Sequence, residues 1–231
     1  MLKVQSKIQA VYDEIFERGR MALQRDETHL DVFLNQPLSD DTRFGLTLLI
    51  PVQDPVTVAV AAAQKELAAL APEQYFYPAT DLHVTVLSLL TARSDRRYVA
   101  DQILPYQVLV AEAVARQKSF VIAFAGLSLS PAAVLAQGFP EEGLLGLRQF
   151  LREQAAKNKL LLDERYHSPT AHVTLGRWRQ PLLNSSVIIN WVEQNRQRPL
   201  ATMSVTELHL VWHDWYNRQE RRQVLARFPL T

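Results

Sequence analysis

Two short stretches of the chain repeat one pattern: Leu82-His83-Val84-Thr85-Val86-Leu87 and Ala171-His172-Val173-Thr174-Leu175-Gly176. Each offers one imidazole and one hydroxyl. A neutral imidazole takes a proton from water or a sugar hydroxyl, and an imidazolium gives one to a leaving oxygen. Its free pKa of about 6.5 puts both states within reach near neutrality. Two imidazoles on opposite sides of a phosphate would form a base–acid pair for in-line phosphoryl transfer. The threonine hydroxyls would donate hydrogen bonds to the non-bridging oxygens, where charge sits in the transition state. Such a set works without a metal, because protonated His and hydroxyl donors fill its electrostatic role. A single His-x-Thr on a strand is a weak signal, since Thr favours strands and a lone His is usually structural. Repetition strengthens it: of six histidines, two hold equivalent positions with matching apolar flanks.

Both stretches read as strands, along which side chains alternate faces. His83 and Thr85 share one face, with Val84 and Val86 on the other. His172 and Thr174 stand likewise against Val173 and Leu175. Each strand would anchor its aliphatic face in a core and present its polar face to a common space. Around them, strands are expected at 44–50, 82–90, 120–129, 134–139, 171–178, 203–214 and 223–229. Helices are expected at 55–70, 95–117 (with Pro105 a kink or break), 141–159 and 185–196. An amphipathic helix fills the first 25 residues, where Ile8, Val11, Tyr12 and Ile15 recur at helical spacing. A polar linker over 26–41 follows it. Residues 1–40 therefore form an arm ahead of a main unit over 41–231. The arm packs either on that unit or on a second copy, which would make it a route to self-association.

Composition narrows the chemistry. The 231 residues include no cysteine, which removes disulfides, thiolate nucleophiles, iron–sulfur clusters and Cys-ligated zinc. Only seven glycines are present, and no phosphate-cradling glycine loop or dinucleotide fingerprint appears. Lys and Arg number 25 against 24 Asp and Glu, which argues against a surface uniformly attractive to nucleic acid or anionic membrane. No apolar run reaches the roughly 20 residues of a membrane span, and the N-terminus lacks a signal-peptide pattern. A soluble, cytoplasmic protein without membrane partners or extended DNA binding is the expectation.

The paired motifs resemble those of the 2H phosphoesterase superfamily, which includes 2′,5′ RNA ligase-like and cyclic phosphodiesterase proteins. The resemblance runs over about residues 43–231. It includes the strand-like start Gly45-Leu46-Thr47-Leu48-Leu49, and the C-terminal stretches Glu207-Leu208-His209-Leu210-Val211 and Leu225-Ala226-Arg227-Phe228-Pro229-Leu230. It implies an α+β fold of two pseudo-symmetric lobes, with antiparallel sheets lining a central cleft and helices outside. It implies catalytic His83 and His172, phosphate-binding Thr85 and Thr174, and no cofactor or metal. The substrate class implied is a small nucleotide or RNA-end phosphodiester, such as a 2′,3′-cyclic phosphate. In many relatives Pro directly precedes the second motif, whereas here Pro169-Thr170-Ala171 intervenes.

Arg93, Arg96, Arg97, Arg177 and Arg179 follow the motif strands, either as phosphate ligands at the cleft rim or as solvated charges. The resemblance favours Arg177 for phosphate, yet strict alternation turns it away from His172 unless the strand bends at Gly176. His209 and His213 sit four apart on one strand face, with Trp212, Trp215 and Tyr216 nearby. A metal pair is conceivable there. The sharper reading is a wall on which a base stacks, using Trp212 and Tyr216. His167, beside Tyr166, could line the cleft, and His29 is expected to be exposed. Against the enzyme stand a non-catalytic RNA- or nucleotide-binding module using the same cleft, and an oligomeric scaffold built through the N-terminal helix.

Overall fold

The computed structural model describes residues 2–164 and 167–231. Strand β1 (Phe44–Pro51) is buried along its six inner residues. Such a continuous apolar run suits a strand with neighbours on both sides. β1 pairs antiparallel with β3 (His83–Arg93) on one side and β8 (Glu207–Asp214) on the other. β9 (Gln223–Pro229) completes a four-stranded sheet in the order β3-β1-β8-β9. Three register shifts interrupt the β1–β3 ladder. At one end of it Gly45 approaches so closely that a Cβ there would lie 2.4 Å from the Leu90 carbonyl oxygen. Bulges of this kind increase local twist and curl a sheet.

The second sheet holds β2 (Tyr75–Phe76), β4 (Phe120–Ser130), β5 (Ala133–Pro140), β6 (Val173–Arg177) and β7 (Pro199–Val205). Its order is β2-β6-β5-β4-β7, antiparallel throughout. The fold is thus α+β with two antiparallel sheets, each carrying one His-x-Thr motif. The expected single strand over 203–214 is two strands in different sheets, β7 in the second and β8 in the first. Alternation slips by one residue at Thr206, with Met203 and Val205 buried before it and Leu208 and Leu210 after it, and that slip marks the change of sheet.

Helix α1 (Leu2–Gln24) lies across β4 beside α5 (Ser185–Gln194), and α2 (Val56–Leu70) crosses β6 and β7. α4 (Glu142–Lys157) packs on α3 (Ala100–Val114) and touches β3 and β5. α3 starts five residues later than expected and runs through Pro105, which lies in its second turn and gives up one backbone donor. The face of α1 that packs inward carries Ile8, Tyr12, Phe16 and Leu23, all buried. The linker after it crosses the molecule. Asp31 N–H donates to the Trp178 carbonyl at 2.8 Å, and Arg221 donates to the Leu38 and Asp41 carbonyls at 2.9 and 2.7 Å. It therefore touches the second sheet at β6 and the first at the turn between β8 and β9.

Candidate active site

The first half-site starts where β3 starts. Val84 and Val86 are buried while His83 and Thr85 keep part of their surface open, as alternation requires. His83 Nδ1 lies 2.8 Å from the Asp81 carbonyl oxygen. A carbonyl only accepts, so Nδ1 carries the proton and the lone pair of the neutral ring sits on Nε2. Asn217 Nδ2 donates to the same carbonyl at 3.3 Å and lies 3.2 Å from Nδ1. Asn217 is fully buried, in the turn after β8, with φ of 60°. Asp214 fixes that turn by accepting from Tyr216 N–H and Arg218 N–H at 3.2 and 2.9 Å. Asp81 itself accepts from Gln219 N–H at 2.9 Å.

The second half-site sits at the start of β6. His172 Nδ1 faces the Thr170 hydroxyl at 2.9 Å, and that hydroxyl faces Ser168 Oγ at 2.8 Å. A hydroxyl donates or accepts as needed, so this seat accommodates either ring tautomer. The Thr170 that parts this motif from the Pro-preceded version is thus the residue that seats the ring. The ladder between β5 and β6 slips at Leu175: Val134 pairs with Gly176, but Leu135 pairs with Thr174. One extra residue reverses the faces beyond it. Arg177 consequently lines the same space as His172, and its Nε donates to Tyr77 Oη at 2.8 Å.

Arg148, buried on α4, ties the two half-sites together. It donates to the carbonyls of Thr85 and Val86 at 2.7 Å each, and to those of Ser168 and Thr170 at 3.0 and 2.9 Å. Four main-chain acceptors flanking both motifs share one guanidinium, whose planar fork of donors suits that task. The resulting cleft has a volume of about 180 Å³ and is lined by His83, Thr85, His172, Thr174, Arg177 and Tyr77, among others. Desolvation, more than the nearby guanidiniums, pushes both His83 and His172 down to about 4. Both rings are therefore held neutral at neutral pH, and a phosphate anion between them would favour the charged form.

Residues 52–217 match the family model of the 2′-5′ RNA ligase superfamily. The chain belongs to that superfamily. Its fold is shared with Escherichia coli LigT, at 19% identity and a TM-score of 0.56 over 82% of this chain and 99% of that one. The protein TT0787 of Thermus thermophilus matches at 18% identity and a TM-score of 0.58, over 80% of this chain and 97% of that one. A structure of LigT complexed with 3′-AMP matches at 19% identity and a TM-score of 0.55, over 82% and 99% of the two chains. No curated protein matches the chain. Membership of this superfamily supports phosphodiesterase-type activity in general terms.

In this member of the 2′-5′ RNA ligase superfamily, Trp212 and Tyr216 do not form the expected stacking wall. Trp212 points to the opposite face of β8, stacked on Phe44 with ring centroids 6.2 Å apart and met edge-on by Tyr98. Tyr216 is fully buried against Tyr75, and its hydroxyl accepts from Arg43 at 2.9 Å. Neither ring has a face free for a base. Trp215 lines the cleft instead, since the turn after β8 ends the alternation that Trp212 obeys. Arg93 and Arg96 both pair with Asp163, and Arg179 Nε donates to the Glu73 carbonyl at 2.6 Å, so these three serve the scaffold. Arg97 donates to the Ser94 carbonyl at 2.7 Å.

His209 and His213 do not form a metal pair. His209 Nε2 meets Glu207 Oε1 at 2.5 Å, while His213 is buried at the cleft wall with Nδ1 2.5 Å from the Asp214 carbonyl oxygen. Among the described residues no cluster of three or more His, Asp or Glu side chains could hold a metal ion. Nor is any helix among them long and apolar enough to cross a membrane. His167 is exposed and lies 3.7 Å from Glu164, outside the cleft; Tyr166 lies outside the described residues. Sequence reasoning missed Arg148, Tyr77, Asn217 and Thr170. Only Thr170 had left a trace, as the departure from the motif.

Proposed function

We propose that the chain hydrolyses a 2′,3′-cyclic phosphate, or a related small nucleotide or RNA-end phosphodiester, by a two-histidine acid–base mechanism. The observation that carries this reading is the fixed tautomer of His83 in a cleft shared with His172. With Nδ1–H held by the Asp81 carbonyl, Nε2 of His83 is ready to accept a proton. His83 takes a proton from water, and the water oxygen bonds to phosphorus. The bond from phosphorus to one ribose oxygen breaks, and that oxygen takes the proton of the His172 imidazolium. The product is a 2′- or 3′-monophosphate. Thr85, Thr174 and Arg177 hold the non-bridging oxygens as charge builds.

The test is turnover of 2′,3′-cyclic nucleotides and cyclic-ended oligonucleotides, run beside a phosphodiester with a nitrophenol leaving group. His83→Ala should cost about 100- to 10,000-fold on every substrate. His172→Ala should cost as much on cyclic phosphates and far less on the nitrophenyl ester, whose leaving oxygen needs no proton. Activity should survive EDTA. Wild-type rates in the His83 variant would overturn the mechanism. Tight nucleotide binding with no turnover would assign the cleft to recognition alone.

A further inference from the structure

We propose that Tyr12 of the N-terminal helix is a positioning residue for His172, so that α1 completes the second half-site from behind. This rests on the reading of His172 as a working imidazole. α1 lies outside the stretch matched by the family model, residues 52–217. It nonetheless reaches the back of the motif strand. Tyr12 is fully buried, and its hydroxyl accepts from Gly138 N–H at 2.8 Å and donates to the Gly138 carbonyl at 3.0 Å. That carbonyl also accepts from Ala171 N–H at 3.3 Å, one residue before His172. A Cβ at Gly138 would lie 2.0 Å from the Ala171 carbonyl oxygen, so the strand and the motif segment touch as closely as backbones can. The Thr170 hydroxyl that seats His172 lies in the same shell around Tyr12 Oη.

One hydroxyl therefore pins the β5 residue against which the segment 170–172 rests. Ser128 fixes the same helix turn by a different route, its Oγ donating to the Tyr12 carbonyl at 3.1 Å. That second bond holds the helix but touches nothing in the half-site. The pair separates positioning from simple attachment. A displacement on the scale of an ångström at a reacting group costs up to about 100-fold in rate, so a small slackening of the seat is readable.

The experiment compares Tyr12→Phe and Ser128→Ala in the full chain. Readouts are kcat and KM on 2′,3′-cyclic AMP, thermal melting, and the ¹⁵N shifts of the His172 ring with and without inorganic phosphate. Tyr12→Phe should lower kcat about 5- to 20-fold with KM within about 2-fold, and should change the Nδ1/Nε2 tautomer ratio of His172. Ser128→Ala should lower the melting temperature comparably and leave kcat and the ring shifts as in the wild type. Identical behaviour of the two variants, or unchanged His172 shifts in Tyr12→Phe, would overturn the proposal. If the wild type turns over no phosphodiester, the catalytic reading fails. The ring shifts still decide whether Tyr12 positions His172.

Discussion

The imidazole of His83 hangs from a main-chain carbonyl that a buried asparagine also holds, while that of His172 leans on a run of two hydroxyls. The first seat accepts one tautomer and keeps Nε2 as a lone pair. The second follows the ring through protonation, because a hydroxyl reverses its bond at little cost. Two motifs alike in sequence are therefore unlike in electrostatic support. Division of labour between the paired histidines is set by what stands behind Nδ1, outside the motif. Arg148 then couples the two seats, since one guanidinium holds carbonyls beside both.

The largest effects that probe this contrast lie at the motif hydroxyls. Thr85→Ala and Thr174→Ala should each lower kcat by about 10- to 1000-fold, the cost of removing one donor to developing oxyanion charge. A double variant no slower than either single one would mean that both hydroxyls serve a single oxygen. Equal, multiplying losses would mean that each lobe grips its own.

Next in size are changes to the seats. Asn217→Asp puts a carboxylate near the Nδ1–H of His83, and an opposite charge at that range raises an imidazole pKa by about 1–3 units. The acid limb of the rate profile should move to higher pH, so activity at a given acid pH falls. Asn217→Gly keeps the φ of 60° that glycine also accepts and removes only the amide. It should lower kcat about 10-fold without moving that limb, by analogy with the roughly 10- to 100-fold cost of removing the orienting partner of a metal-bound imidazole. Thr170→Val on the other side should instead alter the limb set by His172. If Thr170→Val and Asn217→Gly gave identical profiles, the two seats would be equivalent and the distinction would fall.

The sequence exposed what is local. Alternation alone placed His83 with Thr85 and His172 with Thr174, because period-2 geometry needs no tertiary knowledge. It misled at Arg177, where the bulge at Leu175 swings the guanidinium back into the cleft, and a bulge leaves no mark in composition. It misled again at Trp212 and Tyr216, since aromatic residues around a turn do not announce which of them meets the cleft. Arg148 was illegible in principle. An arginine in a helix reads as solvated charge until the carbonyls it serves are brought to it by strands far away in the chain. Tyr12 was visible only as one apolar position on an amphipathic face. That its hydroxyl lands on Gly138 depends on how α1 crosses the sheet.

The smallest effect expected is on stability in acid, and it reads the desolvation that the two seats share without any substrate. Folding holds His83 and His172 at about 4 and His213 at about 3, all below the roughly 6.5 of an unfolded chain. Above about pH 6.5 neither state carries these protons, and the three rings cost nothing. As pH falls from there toward 4 the unfolded chain takes up protons that the folded one refuses, so stability drops; below that window the slope flattens as the folded rings charge too. Thermal melting followed across this range should show the decline, and inorganic phosphate should reduce it, since an anion between the rings favours their charged forms. Replacing His213 by Phe should remove its share of the slope and leave the phosphate rescue intact. His83→Gln and His172→Gln should each remove a share and weaken the rescue. A melting temperature flat from pH 7 to 4.5 would mean that both rings titrate as freely as in solvent. The desolvation that keeps both rings neutral in their seats would then be absent.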